Sequence, residues 1–182
     1  MKRVFAAIDI SGEVREEARI YINDLRSRFD GVPVKWEKPE KLHITVKFAG
    51  SVDEYQLNTF SEQIQAVARS LAPFQMKIAG TGAFVKRSGP SVLWLGTEVV
   101  SATDDPFAVL AGLSEKRPFR PHLTMARIKD SRKAKDVIDR HKASEFESAP
   151  FEVRELVIYE SALLPTGSVY TRLTGFDLAS AS

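Results

Sequence analysis

The chain contains no cysteine. This removes a disulfide framework, a thiolate zinc site and a cysteine nucleophile from consideration. Histidine is scarce too: His43, His122 and His141 are the only three, so any imidazole chemistry falls to them. No apolar run approaches the ~20 residues of a membrane span. Met1-Lys2-Arg3 is basic, but Val4 to Ile10 already carries Asp9 and lacks a small-residue cleavage site, so it reads as a first strand and not as a signal peptide. There is little excess charge of either sign. The formal net charge of +2 is too small for a large nucleic-acid footprint. No Gly-x-Ser-x-Gly occurs, and Gly80-Thr81-Gly82 lacks the Lys-Ser/Thr ending of a phosphate loop. These absences lead to the expectation of a soluble cytoplasmic protein.

What is present is 182 residues, 43% of them hydrophobic. That is enough for one domain over residues 1–182 with a sizeable core, and room for two lobes within it. Two stretches stand out, Leu42-His43-Ile44-Thr45-Val46 and Pro121-His122-Leu123-Thr124-Met125. Read as β-strands, each puts a His and a Thr on one face and apolar residues on the other. With nine threonines in the chain, two of three histidines having a Thr two places on is about a 1% coincidence.

The remaining pattern alternates strands and helices. Val4 to Ile10 predicts a buried strand. Ser11 predicts a helix cap, followed by an apolar stripe from Val14 to Phe29. Val34 to Glu37 predicts a short edge strand. Ser51-Val52-Asp53-Glu54 reads as a capping box. Leu57, Phe60, Ile64, Val67 and Leu71 then form a core-facing stripe. Phe74 to Ile78, a turn at Gly80 to Gly82, Ala83 to Lys86, a turn at Arg87 to Pro90 and a strand at Ser91 to Gly96 follow. A short helix is expected around Pro106 to Leu113, a charged one from Ser131 to His141 with His141 at the surface, and strands over Phe151 to Glu160 and Val169 to Phe176. Phe48, Phe84, Trp94, Phe119 and Tyr170 are assigned to core packing, though each could stack on a base.

The halves echo each other. Ala72-Pro73-Phe74 follows the first long helix and Ala149-Pro150-Phe151 the second, and a Gly-containing turn then leads to Ser91-Val92 and to Ser168-Val169. An internal duplication accounts for this and would bring the two motif strands face to face. Two imidazoles across one cleft, each with a hydroxyl beside it, suit acid–base catalysis of in-line displacement at phosphorus. The threonines and a nearby cation would bind the phosphate. Lys41, Lys47, Lys86, Arg87, Lys116, Arg117, Arg120 and Arg127 lie in or near the motif strands and their turns. No carboxylate is spaced to make a hydrolase triad.

With these residues, the chain resembles the 2H phosphoesterases, and within them the RNA 2′,3′-cyclic phosphodiesterases, also called 2′-5′ RNA ligases. The likeness runs over Val4 to Asp9, Lys41 to Val46, Leu93 to Gly96, Pro118 to Arg127 and Ser161 to Tyr170. It implies an α+β fold of two pseudo-symmetric lobes, with two antiparallel sheets facing a central cleft and helices outside. It implies hydrolysis of a terminal 2′,3′-cyclic phosphate to a 2′-phosphate without metal or other cofactor, and possible reverse 2′-5′ ligation, by a monomer acting on RNA ends such as tRNA fragments. His43 would be the proton donor and His122 the acceptor, with Thr45, Thr124 and Arg127 binding phosphate. Strict alternation puts residue 127 on the face opposite 122 and 124, so Arg127 needs a twist or bulge to reach the site; Lys47 and Arg120 have the correct parity. The alternatives are a phosphodiesterase of small cyclic nucleotides, such as ADP-ribose 1″,2″-cyclic phosphate, and a non-catalytic RNA-end-binding module.

Overall fold

The computed structural model describes residues 1–86, 91–114, 118–165 and 167–179. The Arg87 to Pro90 turn, Lys116, Arg117 and Thr166 lie outside the described residues. In chain order the elements are β1 (Lys2–Asp9), α1 (Gly12–Arg28), β2 (Val34–Trp36), a 3-10 turn (Pro39–Lys41), β3 (His43–Val52), α2 (Glu54–Ser70), β4 (Phe74–Phe84) and β5 (Ser91–Ser101). They continue with α3 (Pro106–Ala111), β6 (Leu123–Ile128), α4 (Lys135–Lys142), β7 (Phe151–Val153), β8 (Glu155–Leu164) and β9 (Gly167–Asp177).

The strands pair antiparallel in the order β7-β4-β5-β6-β3-β1-β8-β9, with β2 added on β6. The mixed α+β class therefore holds, and the strands make one continuous sheet. Among the described residues its two wings are joined at a single pair, Ile44 with Leu123. The motif strands β3 and β6 thus lie side by side at the centre. Each half of the chain gives strands to the other's wing: β5 pairs with β6, and β8 pairs with β1. The strand expected over Phe151 to Glu160 breaks at Arg154, and its two parts go to opposite wings. That one-residue link forces the sheet to curl, and bulges in β1, β4, β5 and β8 pairings supply the bend.

The helices cover the apolar face. Ser11 caps α1 by accepting from the Val14 N–H at 3.2 Å. Val14, Ala18, Ile22 and Leu25 are its buried stripe. α2 begins two residues later than the sequence pattern suggests. Ser51 belongs to β3, and Asp53 with Gln56 forms the reciprocal capping box. Phe60, Ile64 and Ala68 are the α2 residues in the core. One contiguous cluster of buried side chains underlies both wings. No helix among the described residues is long and apolar enough to cross a membrane.

Two further expectations change. Gly80 to Gly82 is not a turn but part of β4, which runs unbroken to Phe84 with a bulge between Ile78 and Thr81. Gly80 takes φ +84°, and a Cβ on Gly82 would overlap the Trp94 ring. His141 is not at the surface but fully buried. Its Nε2–H donates to the carbonyls of Gly82 and Trp94 at 3.1 and 3.0 Å, and its Nδ1 accepts from the Tyr21 hydroxyl at 2.9 Å. The charged composition of α4 hides a buried face of Val137, Ile138 and His141. Burial pushes the His141 pKa down, against two carbonyls that favour the charged form.

His141→Ala should therefore cost roughly 2–4 kcal/mol, from the hollow left and from the stranded hydroxyl and carbonyls. Urea denaturation at pH 7.5 measures this. A histidine held neutral contributes fully above its unfolded pKa, and that contribution fades as pH falls through the folded one. Acidification from pH 7.5 should accordingly destabilise the wild type more steeply than His141→Ala.

Candidate active site

Ile44 and Leu123 point into the core with no exposure. Their neighbours on each strand must then point the other way. The antiparallel register of that one pair places His43 beside Thr124 and Thr45 beside His122. A cavity of about 540 Å³ opens on this face, lined by His43, Thr45, His122, Thr124 and Arg127. All five residues named from the sequence are brought together. A hollow of about 640 Å³ lies elsewhere, among Pro73, Glu152, Arg154 and Asp177, and contains none of them.

Arg127 arrives by a bulge. On β5, Trp94 pairs with Thr124 and Leu93 with Ala126, so that strand passes over Met125. Met125 and Ala126 are consecutively buried, and the alternation slips by one, turning Arg127 to the cavity. β3 slips at the same step: Ala7 pairs with Thr45 and Ala6 with Lys47, passing over Val46. The residue five after each histidine therefore lines the cavity, Phe48 in one strand and Arg127 in the other. The parity alternatives do not enter it. Lys47 Nζ donates to Gln63 Oε1 on α2 at 2.9 Å, and neither Lys47 nor Arg120 is in the wall.

Both imidazoles are held alike. His43 Nδ1–H donates to the Lys41 carbonyl at 2.7 Å, and His122 Nδ1–H to the Arg120 carbonyl at 2.6 Å. A carbonyl only accepts, so each neutral ring carries its proton on Nδ1 and leaves Nε2 unprotonated. His43 Nε2 lies 3.0 Å from Thr45 Oγ1. Phe5 and Tyr170 pack on His43, with ring centroids at 4.8 and 5.4 Å. Phe84 meets His122 edge-on at 5.2 Å.

Burial pushes both pKa values down. For His43 this is opposed by the Lys41 carbonyl, Asp9 and Glu37, and assisted by Arg127. For His122 it is opposed by the Arg120 carbonyl and assisted by Arg127. The carboxylates that favour an imidazolium are thus on the His43 side. Asp9 is itself fixed, accepting from the Tyr159 hydroxyl at 2.7 Å.

Part of the wall escapes a reading of the sequence. Phe48 and Tyr170, expected in the core, both face the cavity, and Phe48 is 69% exposed. Arg3, Lys35 and Glu37 also line it. Alternation in β1 and β2 is the signal that finds these three, because Val4, Val34 and Trp36 pack against or within the core. Among the described residues, no three His, Asp or Glu side chains group to hold a metal ion.

The family described as "LigT like Phosphoesterase" matches residues 8–94 and 102–170. The chain is 33% identical over 177 residues to an RNA 2′,3′-cyclic phosphodiesterase of Methanocaldococcus jannaschii, covering 92% of this chain and 96% of the relative. It is 31% identical over 182 residues to the protein of the same name from Archaeoglobus fulgidus, covering 96% and 99%. The crystal structure of TT0787 of Thermus thermophilus superposes with a TM-score of 0.73 at 26% identity, over 99% of this chain and 100% of that one. That of E. coli LigT with 3′-AMP gives 0.72 at 22% identity, over 98% of each, and shares the fold.

The hydrogen bonds lead to a spectroscopic expectation. At pH 8, 15N NMR should find His43 and His122 in the Nδ1–H tautomer, and both should titrate below the ordinary imidazole value of about 6.5. An Nε2–H tautomer at either ring would contradict the geometry.

Proposed function

The chain belongs to the LigT-like phosphoesterase family, and from that premise we propose that it hydrolyses the terminal 2′,3′-cyclic phosphate of RNA to a 2′-phosphate. One observation carries the reading: two imidazoles present Nε2 to one cavity that also holds two threonines and an arginine. Phosphate seated there meets a base on one side and an acid on the other, as in-line displacement requires. His122 Nε2 takes a proton from water, whose oxygen bonds to phosphorus. The bond to O3′ breaks, and His43 Nε2–H protonates that oxygen. Thr45 and Thr124 donate to the non-bridging oxygens, and Arg127 offsets the developing charge.

The assignment of donor and acceptor has a physical support independent of resemblance. Asp9 and Glu37 favour the charged form of His43, whereas Arg127 disfavours the charged form at both rings, and at His122 no carboxylate among the described residues offsets it. After one turnover the two protonation states are exchanged and must be reset through solvent. Run backwards, with a 5′-hydroxyl in place of water, the same groups make a 2′-5′ linkage.

RNA is favoured over a small cyclic nucleotide because Arg3, Lys35 and Lys41 add positive charge to the cavity wall beyond what one phosphate needs. We further read residues 1–182 as one domain of two related lobes, supported by the mirrored placement of β3 and β6 between their wings. A cytoplasmic monomer fits a chain without cysteine whose own residues supply both histidines and the phosphate-binding groups of the cavity.

His43→Ala and His122→Ala should each lower turnover of a cyclic-phosphate-ended oligonucleotide by roughly 10²–10⁴-fold while remaining folded. The wild type should show a bell-shaped pH profile, release a 2′-phosphate and keep its activity in excess chelator. Near-wild-type turnover by either alanine variant would sink the mechanism. A preference for small cyclic nucleotides would move the substrate to the alternative class, and binding without turnover would leave an RNA-end-binding module.

A further inference from the structure

Glu37 directly follows β2 and is held from two directions. Its N–H donates to the Met125 carbonyl at 2.9 Å. Met125 is the residue that β5 passes over, so this bond secures the bulge in β6. Its carboxylate Oε1 lies 3.5 Å from Arg127 Nε, and the side chain is only 18% exposed. Glu37 also lines the cavity with His43 and Tyr170. One residue therefore clamps the bulge through its main chain, and through its side chain the guanidinium that the bulge turns inward. Contact at Nε leaves the edge bearing the two terminal amino groups open to a phosphate, the geometry of a bidentate pair.

We propose that Glu37 is a positioning residue, which orients Arg127 toward the phosphate and sets a compensating negative charge between Arg127 and the proton donor His43. The proposal rests on the cyclic-phosphate reading of the site. The charged and titratable groups around His43 are Asp9 and Arg3 on β1, Lys35 on β2, Glu37 after it, Lys41 before β3, His122 just before β6, Arg127 on β6 and Tyr170 on β9. Within it, Asp9 and Glu37 favour the imidazolium and Arg127 opposes it. Removing the Glu37 charge leaves Arg127 uncompensated, so the His43 midpoint must fall. It also leaves the guanidinium without its anchor, and a misplaced phosphate contact is felt most in the transition state.

The test compares Glu37→Gln with the charge-keeping Glu37→Asp. His43 is titrated by NMR in the substrate-free proteins, and hydrolysis of a cyclic-phosphate-ended oligonucleotide is followed across pH. Glu37→Gln should lower the His43 midpoint, move the alkaline limb of kcat/KM down with it, and reduce kcat about ten-fold or more, with a smaller change in KM. Glu37→Asp should return the midpoint and the limb toward wild type but not the full kcat, since its carboxylate falls one methylene short of Arg127. An unmoved midpoint in Glu37→Gln overturns the proposal. So does wild-type kcat in Glu37→Gln, or equal losses in both variants with no pH shift, which would mark a merely structural role. Should the wild type itself fail to open the cyclic phosphate, the functional reading fails, and the His43 midpoint alone then decides the place of Glu37.

Discussion

A single main-chain pairing, Ile44 with Leu123, organises the cleft. Both side chains are fully buried, and that burial fixes which face of each strand looks outward. A slip of one residue in either strand would send a histidine into the core and an aliphatic side chain into the cavity. Beyond this pair β3 keeps to β1, β6 pairs with β5 and β2, and among the described residues the two motif strands are not paired further. The cleft is the space that opens where two wings are stitched at one point.

The bulges complete what the pairing begins. Each motif strand has one unmatched residue immediately after its threonine, Val46 or Met125. That residue restores the cavity face at a position simple alternation assigns to the core. The cavity wall thus comes from one regular step in each strand, His to Thr, and one irregular step to Phe48 or Arg127. The backbone also sets the chemistry of the rings. The carbonyls of Lys41 and Arg120, two residues before each histidine, hold Nδ1–H and leave Nε2 for the cavity. A local turn of the chain takes the part that a buried carboxylate plays in a serine hydrolase.

Much of this is legible in the sequence for a stated reason. The repeated His-x-Thr spacing is local, as are the helix stripes of α1 and α2, and both survive into the structure. What is not legible depends on partners distant in the chain. Gly80 to Gly82 looks like a turn until Trp94 lies across Gly82. His141 looks like a surface residue of a charged helix until Tyr21 and two strand carbonyls surround it. Phe48 looks like core until the bulge at Val46 turns it outward. The break at Arg154, which sends β7 and β8 to opposite wings, has no signal in the pattern of Phe151 to Glu160.

The two motif strands share a bulge after the threonine and differ in the charge around them, a difference that the proposed acid–base chemistry requires. A symmetric cleft would give two imidazoles the same proton affinity, with no reason for one to hold a proton while the other accepts one. Here the equivalent positions after the bulges carry a phenyl ring on the His43 side and a guanidinium on the His122 side. Asp9 and Glu37 stand with His43, while the charge that weighs on His122 is that of Arg127. Deep burial alone would strip the proton from His43 first, since it is packed between Phe5 and Tyr170. The carboxylates counter that tendency. The paired motif strands set where the two rings stand, and on the proposed mechanism Asp9 and Glu37, which lie outside those strands, favour His43 as the ring that gives the proton.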